Sequence, residues 1–360
     1  PLLDEETIEG AVAKYPELAG VGEYLMLDKR LSQLMGSKQS LMANVGDDGR
    51  IHGALNPMGT ITGRCSHYSP NLAQVPSVKK PYGVEFRQLF RAPPGWRMVG
   101  ADMAGLELRC LAHYLSYYDG GAYEKQLLDG DPHWQTVLAL GLLPHGTTRD
   151  KHKTLHTLVR DHAKTFTYGV LYGAGAKKAG SIIHETVLAA RSVGPEGVNV
   201  YREFFGDDLS PSESKLAQIG GKARKRFNAG IEGFNALQAQ ISERVVKRGA
   251  VKGLDGRLIP LRKENAALNT LLQSAGAICC KRWTADAFEE VDQRYGIGWD
   301  KSAVLCGFIH DEQQWCVREG LEDEIGNIIT HCARKAGEPY GFRVRLDGEY
   351  VGGPDWSATH

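Results

Sequence analysis

The chain has 360 residues, enough for two or three subdomains around a substantial core. Its 43 Lys+Arg balance its 43 Asp+Glu, so overall charge gives no case for nucleic acid, and a DNA-binding face has to be a local basic groove offset by acid elsewhere. Seven scattered cysteines form no C-x-x-C pair, which argues against a zinc or redox motif and for a reduced cytosolic setting, and no apolar run nears membrane-spanning length.

The chain opens on Pro1 without a methionine or a signal peptide, so a trimmed or processed piece of something longer is expected. Residues 1–45 read as helical, with Val21, Tyr24, Leu25, Leu31, Leu34 and Met35 at apolar-periodic positions and a D-D-G turn at Asp47–Gly49. The acidic run Asp4, Glu5 and Glu6 reads as a solvated helix start. Ile51–Pro76 is rich in Gly, Pro, Asn and Ser and suits a strand-and-loop segment bound to an extended partner. Trp96–Asp102 reads as a short strand, followed by a helix through L-E-L-R-C-L-A-H-Y. Residues 118–230 look mostly helical, with a less regular stretch from Ser192 to Ser214. A helix over 230–248, two short strands around Asp255–Gly256, and a long helix over Glu264–Tyr295 follow. Val304–Val317 reads as strand, tight turn at His310–Asp311, and returning strand. No internal repeat or low-complexity tract is visible.

Two features carry chemistry. Arg160, Lys164, Tyr168 and Tyr172 recur every four residues, so on a helix they form one drifting stripe, cations first and aromatic rings after. A helix N-terminus favours anions, which the two cations would reinforce, and the rings offer stacking surfaces for a base or sugar. That describes a nucleoside triphosphate lying along a helix; an amphipathic helix with a solvated basic end and a buried aromatic end fits the stripe equally. Asp102 and Asp311 each sit where an apolar strand ends or turns. Such carboxylates are rigidly held yet accessible, as a hard-cation site needs, although either alone is also an ordinary turn residue.

V-G-A-D-M-A-G-L-E-L-R, R-D-H-A-K-T-F-T-Y-G-V-L-Y-G and I-H-D-E resemble motifs A, B and C of family A DNA polymerases, in order. T-G-R-C-S-H-Y-S-P-N-L-A-Q-V-P at Thr62–Pro76 and N-T-L-L-Q-S-A-G-A at Asn269–Ala277 resemble two further elements of that family. The details are closer to replicative polymerases of podovirus-type phages than to bacterial repair enzymes, and the resemblance runs from about Tyr24 to the C-terminus.

The resemblance implies an α+β right-hand fold with an antiparallel palm sheet: partial thumb 1–50, palm 51–117 and 241–360, helical fingers 118–240. It implies transfer of dNMP from dNTP to a primer 3′-OH in phage DNA replication, with two Mg2+ ions for which Mn2+ can substitute. Asp102 and Asp311 would bind metal with the Met103 carbonyl, and Glu312 would stand behind them. Arg160, Lys164 and His133 would bind the triphosphate, Lys164 also protonating the leaving pyrophosphate. Tyr168 would stack near the ribose and base, its hydroxyl standing in for a missing 3′-OH, and Tyr172 would close the pocket. Glu107 would crowd and repel a ribose 2′-hydroxyl. Arg64, Gln273 and Asn269 would contact primer–template DNA, the first two through minor-groove acceptors common to all base pairs, and His310 would contact the primer terminus. Asn265 takes a place where bacterial members have arginine, which weakens any DNA contact assigned there.

A 3′–5′ exonuclease domain and a thioredoxin-binding thumb insertion, found in some relatives, would lie upstream of Pro1. The expected partners are therefore primer–template DNA, dNTPs and a processivity factor such as host thioredoxin. The expected setting is a monomer in the host bacterial cytoplasm, without membrane contact. Two rival readings are a single-subunit phage-type RNA polymerase, which Glu107 and H-D-E oppose, and a non-catalytic DNA-binding remnant, which the two aspartates oppose.

Overall fold

A computed structural model describes residues 8, 11–12, 15–143, 147–261 and 263–359; the Asp4–Glu6 run lies outside them. In chain order the elements are α1 (Ala19–Leu31), β1 (Ala54–Asn56), β2 (Ser66–Tyr68), α2 (Gly83–Gln88), β3 (Trp96–Met103) and α3 (Leu106–Asp119). There follow α4 (Ala122–Asp129), α5 (Pro132–Leu140), α6 (Lys153–Leu171), α7 (Ala176–Arg191), α8 (Pro195–Phe205), α9 (Glu213–Ala229) and α10 (Phe234–Arg248). The chain continues with β4 (Ala250–Lys252), β5 (Leu258–Pro260), α11 (Ala267–Tyr295), β6 (Ala303–Ile309), β7 (Glu312–Arg318), α12 (Glu322–Lys335) and β8 (Gly348–Gly353). No helix among the described residues is long and apolar enough to cross a membrane.

The chain divides into two compact units. The first holds Pro1–Asp102, Trp283–Cys332 and Gly348–His360. Its centre is a four-stranded sheet in the order β6-β7-β3-β8, with β7 antiparallel to both β6 and β3. Because side chains alternate across a sheet, Trp96 and Met98 of β3 fall on the face of Cys316 and pack with Trp356, Phe90 and Val304. Val99 and its partner Trp315 are fully buried on the opposite face, where Trp315 meets Phe288 of α11 and Trp283 Nε1 donates to the Ile329 carbonyl (2.7 Å). Gly100 is small for a reason: a Cβ there would stand 2.2 Å from the Thr359 carbonyl oxygen, so the C-terminal segment can pass only over a glycine.

The periodic apolar residues of α1 and of the turns that follow it do not mark a buried face, since Tyr24, Leu31 and Met35 are all more than half exposed. The helix is held by polar groups instead. Buried Arg30 donates through Nε to the Pro81 carbonyl, and Gln33 donates to that of Gln74.

The second unit holds Met103–Arg282 and Ala333–Asp347 and is mainly helical. Two expectations need correction here. The stripe-bearing helix begins at Lys153, seven residues before Arg160, because the apolar series Leu155, Val159, Ala163, Phe166 and Val170 extends the buried face back to Leu155. Arg160 and Lys164 therefore lie two to three turns inside α6, outside the reach of its N-terminal dipole. The Ser192–Ser214 stretch is not irregular throughout: Gly194-Pro195, which reads as a breaker, starts α8 with proline at the first helical position, where no N–H is needed.

Helices α7 and α9 cross at Gly180 and Gly220. A Cβ on Gly220 would lie 1.9 Å from the Ala176 carbonyl oxygen and 2.3 Å from the Gly180 nitrogen, whereas one on Gly221 would meet nothing within 4 Å. Helix propensity favours alanine over glycine by about 1 kcal/mol at either position, but the backbone clash at Gly220 is larger. Urea denaturation should show Gly220→Ala destabilised by about 2 kcal/mol and Gly221→Ala unchanged or stabilised.

Candidate active site

In the first unit, the β3–β7 register sets Asp102 directly opposite Glu312. Opposed Cα atoms in an antiparallel pair stand about 5 Å apart, and Asp311 is the residue before Glu312, so the two aspartates occupy the same end of adjacent strands. Asp102 is exposed at the lip of an otherwise buried strand, and Asp311 is half-buried. The β6–β7 connection is His310–Asp311, with His310 in the left-handed region (φ 62°).

Glu312 behaves differently. It is buried, and its Oε1 accepts from Trp356 Nε1 (2.6 Å) and Gln314 Nε2 (2.7 Å), with the Arg87 guanidinium 3.9 Å away. Arg87 is itself buried, stacks on the Trp356 ring (4.3 Å) and donates to the Pro76 carbonyl. Glu312 is thus the acceptor at the centre of a buried network.

Arg64 and His310 meet in the same unit. Burial first, and the Arg64 charge next, hold the His310 imidazole below its ordinary pKa. His67 stands edge-on to His310 with ring centroids 6.1 Å apart, and it is depressed by burial and by His310. Both rings are therefore neutral at pH 7. His67 was not singled out from sequence, although it lies within the T-G-R-C-S-H motif.

In the second unit a continuous set of contacts joins most of the stripe residues. Asp131 caps α5, one oxygen accepting from the N–H groups of His133 (3.1 Å) and Trp134 (3.2 Å), while the other accepts from Arg160 Nε. Burial alone would raise the Asp131 carboxyl, but the Arg160 hydrogen bond, the Trp134 N–H and the Arg160 charge hold it below the usual carboxylate range. His133 is buried, and its Nδ1 has no hydrogen-bond partner among the described residues. Burial lowers its pKa against the pull of Asp131, and the Arg160 and Lys164 charges lower it further, so it presents a neutral ring. That ring lies 6.0 Å from Tyr168, which lies 6.1 Å from Tyr172. Tyr172 is the residue capping the C-terminus of α6, and its hydroxyl donates to Glu107 on the first turn of α3. Lys164 is exposed on the same helix. The role of Asp131 as the link between Arg160 and α5 was missed, because the two are 29 residues apart in sequence.

Asn269 and Gln273 sit four residues apart on α11, hence on one face. The Asn269 Oδ1 is buried without a partner among the described residues. The Met103 side chain is buried, 2% exposed.

Two carboxylates on rigid strand ends fit a hard divalent cation. No group of three or more His, Cys, Asp or Glu able to hold a metal occurs among the described residues. A closed zinc-type site is therefore not present among them, whereas Mg2+ takes one or two carboxylates and completes its shell with water and substrate phosphates.

If Glu312 braces the strand pair, removing it leaves buried donors unsatisfied. Glu312→Ala should lower unfolding free energy by about 3 kcal/mol, and Glu312→Gln, which keeps an acceptor, by less; chemical denaturation of both variants reads this directly.

Comparison with known proteins agrees with these features. The family model for DNA polymerase family A matches residues 2–194. The chain is 35% identical over 378 aligned residues to a DNA-directed DNA polymerase of Escherichia phage T7, covering all of this chain and 49% of that protein. It is also 35% identical over 318 residues to the thermostable DNA polymerase I of Thermus thermophilus, covering 86% of this chain and 32% of that one. The chain thus spans about half or less of the length of these curated relatives. Its fold matches the POL domain of Pol1 from M. smegmatis, solved in complex with DNA primer-template and dNTP, with a TM-score of 0.72 at 20% identity, covering 99% of this chain and 57% of that one.

Proposed function

Because the chain belongs to DNA polymerase family A, we propose that it performs template-directed DNA synthesis, joining the α-phosphate of a dNTP to a primer 3′-OH with release of pyrophosphate. The observation that carries this reading is the Asp102/Asp311 pair at the open ends of β3 and the β6–β7 turn, with Glu312 engaged in a buried network beside it. Two Mg2+ ions held by these aspartates, with the Met103 carbonyl as a further ligand, would supply Lewis-acid polarisation of the reacting oxygens.

The chain's own groups do the rest. Arg160, aligned by Asp131, and Lys164 bind the triphosphate by charge, and Lys164 gives a proton to the departing pyrophosphate. Neutral His133 offers a hydrogen bond to a phosphate oxygen. Tyr168 presents its ring to the sugar and base. Glu107, on the first turn of α3, excludes a 2′-hydroxyl by volume and charge, and Tyr172 is the residue that must leave Glu107 when a base pair forms. Arg64, Gln273 and Asn269 contact the duplex, and His310 the primer terminus. On this reading 1–50 belong to the thumb, 51–117 and 241–360 to the palm, and 118–240 to the fingers. A phage source would set the work in host bacterial cytoplasm, as a monomer, with a processivity partner such as thioredoxin recruited by a segment outside this sequence.

Extension of a labelled primer–template with Mg2+ and dNTPs tests the reading. Asp311→Ala should slow extension by about a thousandfold or more, and Glu107→Ala should raise rNTP incorporation relative to dNTP by roughly tenfold or more. Extension that survives Asp311→Ala, or preference for rNTPs in the unsubstituted chain, contradicts it. A chain that binds primer–template and adds nothing would be the non-catalytic remnant.

A further inference from the structure

The chain leaves β3 at Met103 and turns into α3 through Ala104 and Gly105, the latter in the left-handed region (φ 58°). This turn is tied to residues 345–347 of the same unit. The Ala104 N–H donates to the Asp347 carbonyl (3.0 Å). Arg109, half-buried on α3, donates through Nε to the Ala104 carbonyl (2.7 Å) and through Nη1 to the Arg345 carbonyl. One guanidinium thus bridges the turn and the 345–347 segment. That segment is anchored in its own right. The Asp347 carboxylate accepts from Arg334 Nε (2.8 Å), and the Arg345 N–H donates to Glu124 (3.2 Å).

The consequence falls on the Met103 carbonyl. The Met103–Ala104 peptide is trans, so its C=O and N–H lie in one plane and point in opposite directions. Asp347 runs directly into β8, and β8 and β7 border β3 on opposite edges. With the Ala104 N–H held on the β8 edge, the Met103 carbonyl is turned to the edge that β7 borders. Rotating this peptide plane would break the Asp347 bond and displace the Ala104 carbonyl from Arg109. Arg109 can hold two carbonyls because its planar fork offers separate nitrogens, whereas lysine presents one.

Resting on the polymerase reading, we propose that Arg109 is a positioning residue that fixes the direction of the Met103 carbonyl and thereby sets the affinity of the site for its divalent ion. A residue that only braced α3 would change stability and leave ion affinity alone.

Nuclear magnetic resonance separates these roles. Met–Ala occurs only at Met42–Ala43 and Met103–Ala104, so the whole chain labelled with 13C at the methionine carbonyl and 15N at alanine gives two carbonyl–amide signals. In the unsubstituted chain Mn2+ should broaden the Met103–Ala104 signal first, with Met42–Ala43 as the internal reference. Half-broadening in Arg109→Leu should need about tenfold more Mn2+, and Arg109→Lys should fall between. The same Mn2+ requirement in Arg109→Leu as in the unsubstituted chain overturns the proposal. If broadening is also lost in Asp102→Asn and Asp311→Asn, the role of Arg109 alone is refuted. No broadening in the unsubstituted chain, or broadening unchanged in both aspartate variants, refutes the metal reading and the proposal with it. Should Arg109→Leu not fold, the Ala104 amide of the unsubstituted chain decides: it should exchange slowly with solvent, and exchange as fast as an open turn overturns the proposal.

Discussion

The antiparallel register between β3 and β7 is the constraint on which the carboxylate pair depends. Side chains alternate along a strand, so a slip of one residue would turn Asp102 away from the end it shares with Asp311 and expose Val99 and Trp315. Three contacts oppose such a slip. Glu312 is fixed by Trp356, Gln314 and Arg87. Gly100 admits the passing backbone at Thr359, whose hydroxyl bonds to Gln314 (2.9 Å). Trp315 is fully buried against its partner Val99, and a slip would uncover it. The C-terminal segment thus acts on the Asp102/Asp311 end of the sheet without approaching it in sequence.

The second unit keeps cations and rings ordered along one helix. Arg160 is long and would otherwise sample many rotamers; Asp131, itself committed to capping α5, holds it in one. His133 is kept neutral by burial, so it adds a hydrogen bond and no charge to a region already carrying Arg160 and Lys164. The Tyr172 hydroxyl donates to the Glu107 carboxylate and ties the end of α6 to the first turn of α3. Such preorganisation lowers the ordering cost of binding.

What could be read from sequence divides along physical lines. The His310–Asp311 turn, β3 and the four-residue stripe were legible because each is a local pattern: apolar runs broken by a turn, or a period matching the helix. The start of α6 was not: the stripe of cations and rings begins at Arg160, whereas the buried apolar series that sets the helix begins at Leu155. The α1 periodicity misled in the other direction, being apolar without being buried; Arg30 and Gln33 do the anchoring there. Contacts created by tertiary structure were invisible. Asp131 with Arg160 and His67 with His310 are joined only after helices dock or loops fold back.

The central claim is that Asp102 and Asp311 together hold the divalent metal used in nucleotidyl transfer. Its most direct test is electron paramagnetic resonance of Mn2+ titrated into the chain with primer–template and a non-hydrolysable dNTP analogue. Two bound ions are predicted, with binding lost or reduced in both Asp102→Asn and Asp311→Asn. Unchanged Mn2+ stoichiometry and affinity in those two variants would contradict the account.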